Sequence, residues 1–268
     1  MKRKVKNEKF YTTKDNAILC LNNIDIDKYD LVVEPSAGNG SFSSLIPGCV
    51  AMDIEPEADG IEKRNFFTYM PDPDKYKKIL TIGNPPFGRQ SSLAIRFINH
   101  AALFSDTIAF ILPNSFHKES MIKRLDRRLT LSSSMRLDDI TFIENEKSKK
   151  IPCSFFIFSA SNGQRNEYMI YATSDFTFVD KNDNPDNSIT RVGGNAGRVE
   201  GPDASYQTHY FVKWNNPKAK TIIENIKWIH NNTVGPRSIS KNEIIIAYLK
   251  EIGQFQKHNI DARTDDIF

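Results

Sequence analysis

Up to about residue 160, short apolar runs alternate with stretches whose apolar positions recur at helical spacing. The runs Leu31 to Val33, Cys49 to Met52, Ile79 to Ile82, Thr107 to Leu112, Leu137 to Ile143 and Ser154 to Phe158 predict strands. Most are apolar along their whole length, the pattern of strands covered on both faces. Between two of them, Ala94, Phe97, Ile98, Ala101 and Phe104 form one helical stripe behind Ser91-Ser92, which predicts a capped crossover helix whose role is packing. The alternation predicts an α/β fold around a mostly parallel sheet.

The pattern then changes. From Asp180 to Ser205 the chain turns to Asp, Asn, Gly and Pro with few large apolar residues, the composition of turns. A strand is expected over Thr208 to Lys213, with His209, Tyr210 and Trp214 as packing residues. Two helices follow. The first takes Asn216 as cap, Pro217 at its first position and Ala219, Ile222, Ile223, Ile226 and Ile229 on one face. The second opens on the capping box Ser240-x-x-Glu243, carries Ile245, Tyr248, Leu249 and Ile252, and stops at Gly253. Residues 165–268 therefore predict a small, ordered α+β region after a domain of residues 1–164.

Composition narrows the possibilities only modestly. Lys and Arg number 36 against 33 Asp and Glu, a formal charge of +3 that suits a polyanionic partner without requiring one. Three widely spaced cysteines, Cys20, Cys49 and Cys153, support neither a disulfide framework nor a zinc site, so no metal is expected and a reducing, cytoplasmic setting is. No apolar run approaches the roughly 18 to 20 residues of a membrane span. The basic start, Lys2 to Lys9, leads into Phe10-Tyr11-Thr12 and not a hydrophobic segment, so neither signal peptide nor membrane partner is expected.

Three segments at the ends of predicted strands carry chemistry. The first strand runs into Glu34-Pro35-Ser36-Ala37-Gly38-Asn39-Gly40, where glycines let the backbone bend and approach a ligand. The next ends in Met52-Asp53-Ile54, where an acid can accept hydrogen bonds from ribose hydroxyls. The glycine spacing is not that of a dinucleotide cradle, and the acid Glu34 suits an adenosine cofactor bearing an ammonium group. The strand at Ile79 to Ile82 leads into Gly83-Asn84-Pro85-Pro86-Phe87-Gly88. The double proline fixes two φ angles, so the Asn84 amide oxygen and the Pro85 carbonyl are expected as rigid acceptors beside the Phe87 ring. Two acceptors and an aromatic plate fit a planar base bearing an amino group. Binding both amine hydrogens favours the pyramidal nitrogen that attacks a methyl group.

Glu34 to Gly40, Met52-Asp53-Ile54 and Asn84-Pro85-Pro86-Phe87, in this order, resemble the S-adenosylmethionine-dependent amino-group methyltransferases, especially the adenine-N6 DNA methyltransferases of restriction-modification systems and their viral relatives. The resemblance covers residues 9 to about 160. It implies a Rossmann-like, seven-stranded, mostly parallel sheet with a reversed final hairpin, for which Leu137 to Ile143 and Ser154 to Phe158 are the candidates. It implies S-adenosylmethionine as cofactor and S-adenosylhomocysteine as product. Tyr11 and Thr12, in Phe10-Tyr11-Thr12-Thr13, would close over the methionine end; Asp53 would hold the ribose; Asn65 and Phe66 would meet the adenine. The implied cofactor set is Tyr11, Thr12, Glu34, Ser36, Gly38, Gly40, Asp53, Ile54, Asn65, Phe66 and Asn84, with Asn84, Pro85, Pro86 and Phe87 binding a flipped target base. Relatives often have Asp where Asn65 stands. They usually offer an aromatic before the last strand, where Glu144 to Lys150 is charged and Phe142 is the nearest substitute.

The substrate expected is adenine in DNA. RNA adenine or guanine amines, protein glutamine, and a catalytically silent nucleic-acid-binding subunit are the alternatives. Arg191, Asn195 and Arg198, set among Gly193, Gly194 and Gly197, are candidate nucleic-acid contacts, with a surface turn as the other reading. Lys123, Arg124, Arg127 and Arg128 are expected late in a helical stretch from His117, as a solvated face. Pro152-Cys153 has the form of a thiol nucleophile, but Cys153 opens an apolar strand and reads as a buried small hydrophobe.

Overall fold

The computed structural model describes residues 11–137, 141–144, 147–161, 163, 171–228 and 237–255, and the side chains of 141–150 are not described. The chain divides into two compact units, Met1–Asn166 and Glu167–Phe268.

The first unit opens with helix α1, Lys14–Leu21, capped by the Thr13 hydroxyl, which accepts from the Asn16 N–H at 3.3 Å. Strands β1 (Leu31–Glu34), β2 (Val50–Asp53), β3 (Glu62–Lys63), β4 (Ile79–Gly83), β5 (Thr107–Pro113) and β6 (Leu129–Leu137) follow. Helix α2, Ser92–Ala101, crosses between β4 and β5, and α3 is the short turn Glu119–Ile122. Strands β7 (Thr141–Glu144) and β8 (Lys147–Lys150) pair with each other, and β9 (Cys153–Ala160) returns to the main sheet.

The main sheet has seven strands in the order β3-β2-β1-β4-β5-β9-β6. Neighbours from β3 to β5 run parallel, while β9 runs antiparallel to both β5 and β6. This is the seven-stranded, mostly parallel, Rossmann-like sheet with a reversed strand that the resemblance implies. Strands β1, β4 and β5 are buried at every position, as their unbroken apolar sequences require. Chain order reverses between β1 and β4, because β2 and β3 build outward on one side and β5 on the other. Such a switch point opens a crevice at the carboxyl ends of the strands.

Three expectations about the first unit are corrected. The reversed hairpin joins β9 to Leu129–Leu137 and not to Leu137 to Ile143, which contributes instead to the separate β7. The sequence Leu129-Thr130-Leu131-Ser132-Ser133-Ser134-Met135 is too polar to read as a strand, yet it sits at the sheet edge, where one side stays wet, and its ladder with β9 holds it there despite a bulge at Leu131/Ser133. The helical stretch from His117 is only α3, so Lys123 to Arg128 fall in turns. Ser91 does not cap α2 through its hydroxyl; it takes a left-handed φ of 56°, and the Phe87 carbonyl accepts from the Leu93 and Ala94 N–H groups at 3.1 and 3.3 Å.

The second unit is an antiparallel sheet of β10 (Phe176–Val179), β11 (Asn187–Thr190), β12 (Val199–Glu200) and β13 (His209–Trp214) in the order β10-β13-β11-β12. The polar stretch read as turns thus contains β11, because pairing with β13 and β12 overrides its composition. Helices α4 (Pro217–Asn225) and α5 (Lys241–Glu251) complete the unit. The Asn216 cap and the Ser240/Glu243 capping box are both formed, while Ile226 already stands at the C-cap of α4 and Ile229 lies outside the described residues. Phe176, Ile189, Val212, Ile223, Ile244 and Tyr248 form its core. The Tyr248 hydroxyl donates to Asp175, which holds the tyrosine's acidity well below normal, its pKa pushed up to about 12 by burial and by that acceptor. Among the described residues, no helix is long and apolar enough to cross a membrane.

Candidate active site

The carboxyl ends of β1, β2 and β4 open onto one cleft of about 730 Å³. At the end of β1, Glu34 is only 2% exposed and its Oε2 accepts from the Ser43 N–H at 2.7 Å. Burial pushes the Glu34 carboxyl up to about 7; hydrogen bonds from Ser43 and Phe42 oppose that shift, and the negative charge of Asp53 adds to it. Gly83, at the end of neighbouring β4, has φ +149°, and a Cβ there would stand 3.4 Å from Glu34 Cγ. Its bare backbone leaves room for the acid at the cleft floor.

The glycine turn after Glu34 is fastened to the end of β2. Gly38, at φ +53°, donates its N–H to Asp53 Oδ2 at 2.9 Å, and its carbonyl accepts from the Glu57 N–H at 2.9 Å. Asp53 Oδ1 accepts from the Glu55 N–H at 2.8 Å. Each carboxylate oxygen of Asp53 therefore carries one backbone donor and keeps acceptor capacity toward the cleft. Ile54, beside it, is 54% exposed and presents an apolar face to the same space.

The segment before α1 lies across this turn. The Tyr11 ring stands over Gly38, and its hydroxyl donates to the Glu57 carboxylate at 2.8 Å. Thr12 is buried, its carbonyl accepts from the Ser41 hydroxyl at 2.7 Å, and its Oγ1 accepts from Asn84 Nδ2 at 3.1 Å. The Ser36 hydroxyl donates to the Asn84 backbone carbonyl at 3.3 Å. Asn84 is thus oriented by two other segments, with its amide nitrogen turned to Thr12 and its amide oxygen opposite.

An aromatic wall closes the cleft elsewhere. Asn65 Oδ1 accepts from the Phe67 N–H at 3.1 Å, capping a short turn that sets Phe66 and Phe67 at the cleft. Phe66 stacks on Phe97 of α2 at 5.3 Å, and the Arg96 guanidinium lies over Phe67 at 4.5 Å. Leu93, Arg96 and Phe97 recur at helical spacing on α2, so one helix face lines this side.

Of the residues the sequence singles out, Tyr11, Thr12, Glu34, Ser36, Gly38, Asp53, Ile54, Asn65, Phe66, Asn84, Pro85 and Pro86 all line the cleft. Gly40 stands behind it, at φ +79°, where a Cβ would meet Ser43 Oγ at 3.3 Å. Phe87 is placed differently: it is 4% exposed, and its ring is not among the described residues that line the cleft. Three left-handed residues, Gly88, Gln90 and Ser91, turn the chain after it. A Cβ on Gly88 would fall 2.8 Å from Leu93 Cβ. Phe10 lies outside the described residues, and so does the side chain of Phe142.

Sequence reasoning missed Glu57, Phe67, Arg89, Leu93, Arg96 and Phe97. The spacing of Leu93, Arg96 and Phe97 was the available signal, obscured because Phe97 also belongs to the packing stripe. Cys153 is 1% exposed in β9, and burial pushes its thiol acidity far out of reach of neutral pH. Arg128 is paired with Asp126 at 2.9 Å and Arg124 donates to the Gln90 carbonyl at 3.3 Å, so both serve the fold. His209 bonds Thr190 and Glu200 at 3.2 and 3.4 Å, and Trp214 Nε1 donates to Asn187 at 2.9 Å. Arg191 Nε donates to the Gln207 carbonyl at 3.1 Å, while Asn195 and Arg198 line a separate pocket of the second unit.

Neither a protein-family model nor a curated protein matches the chain. Among solved structures, a Pyrococcus horikoshii protein provisionally described as an RNA methyltransferase is similar at 17% identity and a TM-score of 0.43, over 59% of this chain and 89% of that one. A modification subunit, from Vibrio vulnificus, of an enzyme provisionally described as a type I restriction enzyme is similar at 14% identity and a TM-score of 0.42, over 92% of this chain and 62% of that one. The 23S rRNA methyltransferase ErmE is similar at 12% identity and a TM-score of 0.35, over 59% of this chain and 72% of that one.

Proposed function

We propose that the chain transfers a methyl group from S-adenosylmethionine to the exocyclic N6 amine of adenine in DNA, with the base flipped into the cleft. The observation that carries this reading is the gathering of Glu34, Asp53 and a doubly anchored Asn84-Pro85-Pro86 on one strand edge. The donor set fits the cofactor. A buried acid suits an ammonium group, Asp53 suits ribose hydroxyls, and Ile54 with Phe67 offers apolar faces for an adenine ring. When bound, S-adenosylmethionine supplies an electrophilic methyl group on a sulfonium and leaves as neutral S-adenosylhomocysteine.

The chain's own groups then have separate tasks. Glu34 binds the ammonium, Asp53 orients the ribose, and Tyr11, held by Glu57, covers the turn and keeps water out. The Asn84 amide oxygen and the Pro85 carbonyl accept the two hydrogens of the target amine, which localises its lone pair on nitrogen for attack; as the N–C bond forms and the C–S bond breaks the nitrogen becomes cationic, and it then releases one proton to solvent. Thr12 and Ser36 stop Asn84 from turning, so the acceptor geometry exists before the base arrives. Phe87 contributes through its carbonyl, which holds the first turn of α2. The second unit, with Arg191, Asn195 and Arg198, contacts the polynucleotide.

Incubation with isotope-labelled S-adenosylmethionine and unmodified DNA or RNA, followed by nucleoside mass spectrometry, tests the reading. Labelled N6-methyladenine from DNA is the expected product. Label only in cytosine or protein overturns it, and label only in RNA overturns the choice of polymer. Asn84→Ala is expected to lose transfer by about three orders of magnitude, the cost of a lost transition-state acceptor, while calorimetry still shows cofactor binding.

A further inference from the structure

The second unit holds a pocket of about 480 Å³, lined in part by Asn195 and Arg198, and the methyl-transfer reading does not say what part of a polynucleotide it takes. Its floor is the loop joining β11 to β12. That loop is closed by Thr190 N–H to the Arg198 carbonyl at 2.9 Å, Gly197 N–H to the Thr190 carbonyl at 2.7 Å and Arg198 N–H to the Asn195 carbonyl at 2.9 Å. A segment distant in sequence lies alongside, with Gly193 donating to the Arg237 carbonyl at 2.8 Å and Ile239 donating to the Arg191 carbonyl at 2.8 Å. Two arginines from different parts of the chain, Arg198 and Arg237, therefore border one cavity.

The wall is aromatic. A Cβ on Gly197, at φ +96°, would fall 2.4 Å from the Trp228 ring, so only glycine there lets the indole lie against the loop backbone. The remaining polar groups at the pocket are Asn195 and, at the end of α4, Glu224, whose carboxylate is 3.9 Å from Lys220 Nζ. An indole face, two guanidiniums, an amide and a carboxylate are a set for a nucleotide. The ring stacks on a base, guanidiniums take phosphate oxygens, and the amide reads a base edge. A carboxylate accepts hydrogen bonds and donates none; an exocyclic amine offers it two hydrogens, whereas unpaired thymine offers only N3–H, flanked by two carbonyl oxygens that repel it, so bases that carry an amino group are favoured.

We infer that this pocket takes one unpaired, amino-bearing base of the polynucleotide substrate, stacked on Trp228 with its flanking phosphates on Arg198 and Arg237. The inference rests on the reading of the chain as a nucleic-acid methyltransferase and adds a second reading site with its own base preference.

The test uses the full chain and fluorescein-labelled single-stranded 12-mers of dC or dT, followed by anisotropy. Binding is expected to be tighter for dC than for dT. Trp228→Ala is expected to weaken dC binding about tenfold, the loss of one stacked base. Arg237→Ala should weaken both oligonucleotides and lower the slope of affinity against salt by about one contact. Glu224→Gln, which adds a donor, should erase the preference for dC. Trp228→Phe, which keeps an aromatic face and the fold, should retain most of the binding. Calorimetric S-adenosylmethionine binding should be unchanged in all of them. Unaltered dC affinity in Trp228→Ala and Arg237→Ala, in a protein that transfers methyl groups, overturns the pocket and leaves the methyl-transfer reading standing. Wild-type protein that shows these oligonucleotide effects but neither binds S-adenosylmethionine nor methylates DNA overturns the methyl-transfer reading alone.

Discussion

In the N-terminal unit the strands that border the cleft all point their carboxyl ends at it, whereas the C-terminal unit is antiparallel and builds its pocket around a single hairpin loop. Parallel strands deliver one loop each to the same edge, so Glu34, Asp53 and Asn84 meet there although they are far apart in sequence. Antiparallel strands alternate their ends, and the β11–β12 loop borders its pocket together with Glu224, Trp228 and Arg237 from later in the chain. Burial differs accordingly. The cleft holds an acid deep in its floor, while Asn195, Arg198, Glu224 and Arg237 are exposed. A site that orients a reacting atom needs desolvated, fixed groups, and a surface that holds a strand does not.

The largest expected effect concerns the independence of the two units. Phe156 is fully buried in β9 and stacks near Phe158, so Phe156→Ala should destabilise the N-terminal unit by about 3–5 kcal/mol. Hydrogen exchange read peptide by peptide should show lost protection across β1 to β9, with β10 to β13 unaffected. Equal loss in both would mean that the units unfold together and differ in geometry alone.

Glu34→Gln sharpens the contrast between a buried and an exposed charge. The native acid is raised from 4.5 to about 7, so the folded state favours its neutral form. Its stability contribution is full below about 4.5 and is lost as pH rises through about 7, a cost of about 3 kcal/mol at pH 8. Glu34→Gln should therefore melt higher than the native protein at pH 8 and equally at pH 4. Cofactor affinity moves the other way. An ammonium group needs the ionised acid, so native affinity should rise roughly tenfold from pH 6 to pH 8, whereas Glu34→Gln binds weakly at both. A variant that is both less stable and pH-dependent in binding would remove Glu34 from this role.

The two units also differ in how much of each was legible. Strands β1, β4, β5 and β9 announce themselves because burial on both faces demands unbroken apolar runs. Edge strand β6 does not, since one wet side admits Ser132, Ser133 and Ser134 and only its ladder with β9 identifies it. Within the site, the acids and Asn84 were legible because their chemistry is tied to strand ends. The direction of the Phe87 ring was not, because it is set by the left-handed turn at Gly88, Gln90 and Ser91, which aims the Phe87 carbonyl at α2. In the second unit the glycine-rich loop drew notice to Asn195 and Arg198, but Arg237 reaches them through long-range pairing and Trp228 by lying against Gly197, neither of which any local pattern encodes.

The smallest effect is expected at the rim of the cleft. Tyr11 is partly exposed, and its hydroxyl donates to the Glu57 carboxylate at 2.8 Å while its ring rests over Gly38. Tyr11→Phe keeps the ring and removes only the hydrogen bond, which at a partly exposed position is worth about 1 kcal/mol. The segment before α1 would then spend more time off the glycine turn, so cofactor affinity should fall roughly fivefold with no change in melting temperature. Glu57→Ala should give a similar loss, because it leaves the Tyr11 hydroxyl without this acceptor, and the double variant should lose little more than either single one. Additive losses would mean that Tyr11 and Glu57 act on the cofactor separately, and that the cleft is covered by packing over Gly38 and not by this bond.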